Sequence, residues 1–517
     1  MPARRPRSLA AALVPALPGA LLLAALPAAA DLASFVNNDP FFNALERRAA
    51  TANQATFEEL DPVCRSGVST ACAATRFQVY ENVRELVHTA NELQGNGPID
   101  ASLQLDREGL GFALRWTAAE ETAAQGSSST EFTNGQIANL ASRMTALRFG
   151  ARGFQITGTG LIPNEQMAAL ANAAAGRGLS TTLRGGAASE DAADEAGGSE
   201  GGGESGTQFS RVGGFLNVSY GYGERDPTQL EDAFEFEAIE VTGGLDYRFD
   251  NGLVVGATAG GTFNEVDFDS VQSIVDGGVK GDGFSVSGFA MYSPSAWYVS
   301  AFGSVQFMTF EMTRFIKYPS FNPDRESTNT ATLSETDSTT FTLELATGYN
   351  FNWSNFSIEP YAKATYLSVT IDEFSEQDLA SKGFDFVIGE QEIDSAEVAA
   401  GLRATYVWTP SFGVFMPYAR IEAIHEFQDD SRKISAVYRS VSDLANAQRL
   451  DFNVPTEDVD PDYFTASVGL SAIVRGGRPD ENGVIYGGIQ VFVEYRTLIG
   501  LEDFSNHVFS GGLRYEF

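Results

Sequence analysis

The sequence predicts an all-β transmembrane barrel of about twelve antiparallel strands, preceded by a small α-helical N-terminal region and a Gly-rich linker. Three observations carry that expectation. From Phe209 to the last residue, apolar and polar residues alternate in long runs, which is the period of a strand. The joints between these runs are tight and long in turn. Within each run the charges gather on one of the two faces.

The first element is an export signal. Arg4, Arg5 and Arg7 precede an apolar run from Leu9 to Leu26, and Ala28, Ala29 and Ala30 precede Asp31. A positive n-region, an apolar h-region and small residues in A-x-A spacing make residues 1–30 a secretory signal peptide, with Ala28 and Ala30 at the cleavage site. A retained anchor helix is the rival reading, and Pro15, Pro18 and Pro27 argue against it by interrupting the run. No later stretch is long and apolar enough for a spanning helix. Loss of three arginines and no acid would take the formal charge from -34 to -37. Such acidity excludes nucleic acid as a partner, because phosphate neutralisation needs Lys and Arg.

Residues 31–184 read as a helical N-terminal region. In "TRFQVYENVRELVHTANELQG", Phe77, Tyr80, Val83, Val87 and Ala90 fall near one helical face. "TNGQIANLASRMTALRFG" opens with Thr133 and Gln136 in capping-box spacing, places Ile137, Leu140, Met144 and Leu147 together, and stops at Gly150. "NEQMAALANAAAGRG" is a further short helix. Cys64 and Cys72 are the only cysteines, and in an exported chain they suggest one small disulfide loop, with two unpaired thiols as the alternative. Residues 185–208, "GGAASEDAADEAGGSEGGGESGTQ", have almost nothing to bury and read as a flexible linker.

The barrel occupies 209–517, with strands expected near 209–223, 234–250, 252–267, 281–293, 296–313, 339–353, 355–373, 393–409, 412–428, 462–475, 485–498 and 505–517. "DNG" at 250, "SPS" at 293, "WSN" at 353 and "TPSFG" at 409 are tight joints, with "GGRPDENG" somewhat longer. The other joints, 268–280, 314–338, 374–392 and 429–461, are long and acidic. Short turns on the periplasmic rim and long loops outside are the outer-membrane pattern. The alternation points Asp246, Arg248, Glu344, Glu359, Lys363, Arg403, Arg420, Glu422, Glu494 and Arg514 into the lumen, which is expected to be a hydrated, ion-paired channel. Trp297, Trp353 and Trp408, with Tyr292 and Tyr349, fall at the short turns, where an aromatic girdle belongs.

The chain closes on "SGGLRYEF". Ser510, Gly512, Tyr515 and Phe517 resemble the C-terminal signal that the outer-membrane barrel-assembly machinery recognises. With "DGFSVSGFAMYSPSAWYVSAFGSVQF" and "VFVEYRTLIGLEDFSNHVFSGGLRYEF", this makes residues 209–517 resemble the translocator of the autotransporter, or type V secretion, family. Residues 107–154 are similar to a pre-barrel extension in some proteins with this domain. The resemblance implies a twelve-stranded outer-membrane barrel of a Gram-negative bacterium that delivers or displays its own N-terminal region at the cell surface. Its implied partners are outer-membrane lipids and lipopolysaccharide, the general secretion machinery and the barrel-assembly machinery. A lumen helix before the first strand is frequent in the family, and residues 164–175 are the candidate for it. The chain departs from many members in having no β-helix repeat upstream of the barrel.

No catalytic function is expected. No G-x-S-x-G, H-E-x-x-H or Walker-type loop occurs, and no cofactor or metal site is read. His88 is read as a surface residue of its helix; His425 and His507 are read as packing near the outer rim. The alternative function is an outer-membrane channel or structural barrel with a periplasmic helical domain. A hydrolase with acids on its outer loops is the weakest reading.

Overall fold

The structure, a computed structural model, describes residues 31–124, Gly126, Ile137, Met144, and 211–516 apart from 269–273, 411–412, 459, 476–477 and 480–484. Twelve long strands form the wall: β1 Val212–Arg225, β2 Phe234–Arg248, β3 Leu253–Asp267, β4 Gly277–Tyr292, β5 Trp297–Tyr318, β6 Thr328–Tyr349, β7 Phe356–Ile371, β8 Gln391–Tyr406, β9 Val414–Glu426, β10 Asp462–Arg475, β11 Ile489–Ile499 and β12 Phe504–Glu516. Each pairs antiparallel with its neighbours, and β1 pairs with β12 from Gly213↔Glu516 to Arg225↔Phe504, so the sheet closes on itself. Closure satisfies the ladder all round and leaves no strand edge to lipid. The even strand number brings Val212 and Glu516 to the same, short-turn rim.

The wall has two tiers, set by which side is dry. In the lower tier the outer face is apolar. Val299, Val305 and Phe307 on β5, and Phe341, Leu343 and Leu345 on β6, point outward, as do Leu245 on β2 and Val286 on β4. Trp297 and Tyr292 stack edge to face at the short-turn end, with ring centroids 5.7 Å apart, and Phe284 and Phe307 pair at 5.2 Å higher up. The ten residue steps from Trp297 to Phe307, at the rise and tilt of barrel strands, span ~25 Å of height, the thickness of an outer-membrane apolar band.

Above Phe307 the polarity of the two faces inverts. Outward positions become Thr309, Glu311 and Thr313, while Met308, Phe310, Met312 and Ile316 turn inward and are buried. The same change occurs on β2, where Glu235 and Glu237 face out and Phe234 and Phe236 face in. This upper tier corrects the expectation of a long loop at 314–338. β5 and β6 pair up to Tyr318↔Thr328, leaving only residues 319–327 as the connection.

What the inner face of the upper tier buries is the N-terminal region. α1 Leu32–Asn38, α2 Ala44–Cys64, α3 Ala74–Gln94 and α4 Arg107–Trp116 pack together over the long-loop rim. α2 starts at a capping box, with Asn43 accepting from the Glu46 N–H and Glu46 accepting from the Asn43 N–H, both at 2.8 Å. It buries Leu45, Ala49, Ala52 and Leu60 along one face. A Cys64–Cys72 disulfide ties its end to the approach of α3. α3 ends where Gly95 adopts a left-handed φ of 71°, and Asp106 caps α4 through the Gly109 N–H at 2.8 Å.

One hydrophobic core joins these helices to the barrel. Leu86, Leu110 and Leu114 from the helices share it with Phe236 and Phe310 from the wall and Phe384, Phe386, Tyr438 and Phe452 from the long loops. Burying one phenylalanine as completely as Phe310 contributes about 1.5–3 kcal/mol, so the contact is a folded interface.

Candidate functional site: an occupied lumen beneath a helical cap

The middle of the lumen is a ring of tyrosine–carboxylate–cation sets carried by β5 and β7–β11. Glu422 accepts from Tyr361 Oη at 2.6 Å, Lys363 Nζ at 3.2 Å and Thr465 Oγ1 at 2.8 Å. Glu494 accepts from Tyr418 Oη at 2.7 Å and Arg420 Nη2 at 3.1 Å, and Arg403 lies over the Tyr418 ring at 4.7 Å. Tyr298 donates to Glu359 at 2.9 Å. Glu359, Glu422 and Glu494 are thereby each held by a donor, and the last two also by an opposite charge, as burial favours. The tyrosines lie flat because glycine leaves room beneath them. A Cβ at Gly401 would sit 2.3 Å from the Tyr361 ring, and one at Gly469 would sit 2.3 Å from the Tyr418 ring.

The sequence-derived charges take the following places. Asp246, Arg248, Glu344, Glu359, Arg403, Glu422, Glu494 and Arg514 are buried on the inner side, and Lys363 and Arg420 are partly so. Asp246, Arg248 and Arg514 converge around Gly213, near the short-turn mouth. Trp297, Trp353 and Trp408 are about half exposed on the outer face by the short turns. On β12, Tyr515 points outward and is 41 % exposed, while Ser510 and Gly512 sit on the other face. Phe517, Ala28, Ala30 and the candidate lumen helix 164–175 lie outside the described residues.

The lumen is ion-paired, as expected, and it also receives parts of the pre-barrel chain, which was not expected. Three helical residues of the pre-barrel chain lie in it at successive depths. Gly126 is packed against Ile393 and Arg432 at the upper end. Ile137 lines the same mid-lumen cavity as Lys363, Glu422 and Tyr463. Met144 clusters with Phe215, Val254, Phe289, Met291 and Phe302 at the short-turn end. The sequence showed Ile137 and Met144 on one helical face, but not what that face met.

The cap is fixed to the rim by polar contacts as well as by its core. Arg325 on the β5–β6 connection reaches Glu81 at 2.8 Å and Glu85 at 3.3 Å of α3. Asn82 donates to the Lys382 carbonyl at 2.8 Å, Arg76 to the Ser440 carbonyl at 2.9 Å, and Tyr438 to Asn53 at 2.9 Å. Beneath it lies a fully buried ion pair. Arg314 of β5 donates to Glu376 through Nε at 2.9 Å and Nη2 at 2.6 Å, and to the Phe384 carbonyl at 2.9 Å. Glu376 also accepts from Thr332 and from the Phe386 N–H, each at 3.0 Å. No sequence pattern marks this pair, whose members are 62 positions apart.

The family described as Autotransporter beta-domain matches residues 214–477, which is 264 of the 517 residues and the greater part of this wall. The chain belongs to the autotransporter family. Among solved structures it is similar to the translocator domain of the autotransporter NalP from Neisseria meningitidis, with 14% identity, a TM-score of 0.43, and coverage of 59% of this chain and 88% of that one. It is similar also to the β domain of the Bordetella autotransporter Brka, at 16% identity, TM-score 0.38 and coverage of 59% and 100%. The transport unit of AIDA-I from Escherichia coli stands at 14%, 0.38, and 59% and 90%. No curated protein matches the chain in sequence. As an autotransporter it is an outer-membrane translocator barrel of a Gram-negative bacterium, and delivering or displaying its own N-terminal region at the cell surface is its family role.

His88 corrects a sequence expectation. It is 4% exposed rather than on the surface, its Nδ1 accepts the Ala101 N–H at 3.1 Å, and Asp100 lies 3.3 Å away. Burial pushes its pKa from 6.5 down to about 4 in spite of Asp100. The folded cap therefore holds the imidazole neutral, and its contribution is present above pH 6.5 and lost as pH falls toward 4. The stability advantage of wild type over H88Q should shrink by about 3 kcal/mol between pH 7 and pH 4. Urea titration of the refolded full-length protein at both pH values checks it.

Proposed function

We propose that the barrel exports residues 31–124 and keeps them at the cell surface as a helical cap seated on the long-loop rim. The chain that follows stays in the lumen as tether and plug. The observation that carries this reading is the single core shared by α1–α4 and the outer tier of the wall. The periplasmic alternative would need these helices at the short-turn rim, the opposite end of the barrel from where they pack. No catalytic step is part of the proposal. Outer-membrane lipid would meet the apolar band between Trp297 and Phe307, and lipopolysaccharide the acidic wall above it.

The proposal also divides the N-terminal region differently from a single unit spanning 31–184. The exported part ends near Gly126. The chain reaches the short-turn mouth at Met144, and β1 begins at that same mouth at Val212. Met144 and Val212 thus both lie at the periplasmic mouth.

A cysteine pair at Asn82 and Lys382 tests the seating, since the Asn82 side chain donates to the Lys382 backbone across the cap–rim joint. In living cells treated with a membrane-impermeant oxidant, the N82C/K382C protein should form the crosslink. Absence of the bond in a barrel that has inserted normally would refute the seated cap.

A further inference from the structure

Residues 117–124 carry two successive carboxyls from α4 toward the lumen, and their surroundings differ. Glu120 is paired bidentately with Arg115, whose guanidinium also lies 3.9 Å from Asp232. Asp232 itself accepts from the Ile274 and Val275 N–H groups, both at 2.7 Å. Glu121 has no such support. It is 1% exposed, and among the described residues neither of its carboxyl oxygens has a hydrogen-bond partner on another residue, its own backbone N–H being the one donor that favours the anion. The charged groups that face it are Arg314 from β5, Glu376 from the segment after β7, and Glu120 from its own segment. Arg314 is already committed through Nε and Nη2 to Glu376, and its Nη1 is without a partner.

One guanidinium thus stands among two buried carboxyls. Its single positive charge is already matched by Glu376, so a second anion there would be uncompensated. A carboxylate buried without donors is much costlier than the neutral acid, which asks for one acceptor and no counter-charge. We propose that seating the cap takes up a proton at Glu121, which makes the cap an acid-tightened, alkali-loosened seal over the lumen. This deepens the reading of a surface cap and rests on it. Lifting the cap returns Glu121 to water, where the acid ionises and cannot re-enter without a proton.

Burial acts in the same direction, raising the Glu121 pKa well above 4.5. Glu85 and Glu120, each pushed to about 7, and Asp232, also raised, add to the pH dependence. All three have partners, and all three remain in a Glu121 variant. His88 opposes them, but it is packed against Asp100 and Ala101 within the cap and is likewise retained. The difference between wild type and variant therefore isolates Glu121.

The test is urea-induced undocking of the full-length protein in detergent between pH 5 and pH 7, comparing wild type with E121Q. The ratio of the two undocking constants should rise about tenfold per pH unit, one proton's worth. E121L, which fills the space without titrating, should behave as E121Q does, and either variant suffices if the other does not refold. Parallel wild-type and variant lines would overturn the latch. The N82C/K382C crosslink at pH 5 separates the two failures: parallel lines with a crosslinked cap refute the latch alone, whereas no crosslink refutes the docked cap and the latch with it.

Discussion

Deletion of residues 31–150, with the export signal kept, is expected to turn a closed protein into a conducting one. None of the strand pairings that close the wall involves the deleted residues, so the barrel should still insert and keep its heat-modifiable migration. What disappears is the cap and the chain marked by Gly126, Ile137 and Met144 inside the wall. Eight-stranded barrels are filled by their own side chains, and 16- to 18-stranded ones hold a water channel. Twelve strands lie between. The Tyr361–Glu422–Lys363 and Tyr418–Glu494–Arg420 sets fold flat against the wall over glycines, so they leave space once the occupant is gone. Single-channel conductance in planar bilayers should rise at least about tenfold over the full-length protein. Equal conductance would mean that the lumen is closed by something else.

The second large effect is expected at Arg314. Arg314→Ala should destabilise cap seating by about 3–5 kcal/mol, because it strands Glu376 as an uncompensated buried charge and frees the Phe384 carbonyl. Both partners of the pair are fully buried, so solvent screening offers no relief. Replacing both, as in R314M/E376L, removes the charges together and should recover most of the loss. The lower tier, with its girdle and apolar band, does not include this pair. Urea midpoints for the cap should therefore fall in R314A while the inserted fraction of barrel stays constant.

The lower tier was legible because two solvents act on one strand. Lipid selects Val299, Val305 and Phe307 on one face, and the lumen selects Ser300 and Gln306 on the other. Beyond Phe307 the strand continues with its faces exchanged, so Glu311 outside and Phe310 inside ended the lipid pattern and read as a loop. The period of two was intact, but its phase was reversed. The lumen occupant was half visible. Ile137 and Met144 made an amphipathic face, but the residues that receive Met144, Phe215, Phe289 and Phe302, are aromatics on the wall's otherwise polar side. Contacts such as Arg314 with Glu376 and Tyr438 with Asn53 join residues 62 and 385 positions apart, and no local periodicity encodes them. The burial of His88 is hidden from a local reading for a similar reason: its cover comes from the backbone after Asp100, outside its own helix.

The most direct test of the surface cap is a pair of epitope tags read by antibody on intact cells. One is placed in the exposed Gly95–Gly97 turn after α3 and the other within the 185–208 linker. The account predicts that the first is stained on intact cells and the second only after the outer membrane is permeabilised. Staining of the linker on intact cells, or protection of the Gly95–Gly97 tag until permeabilisation, would contradict it.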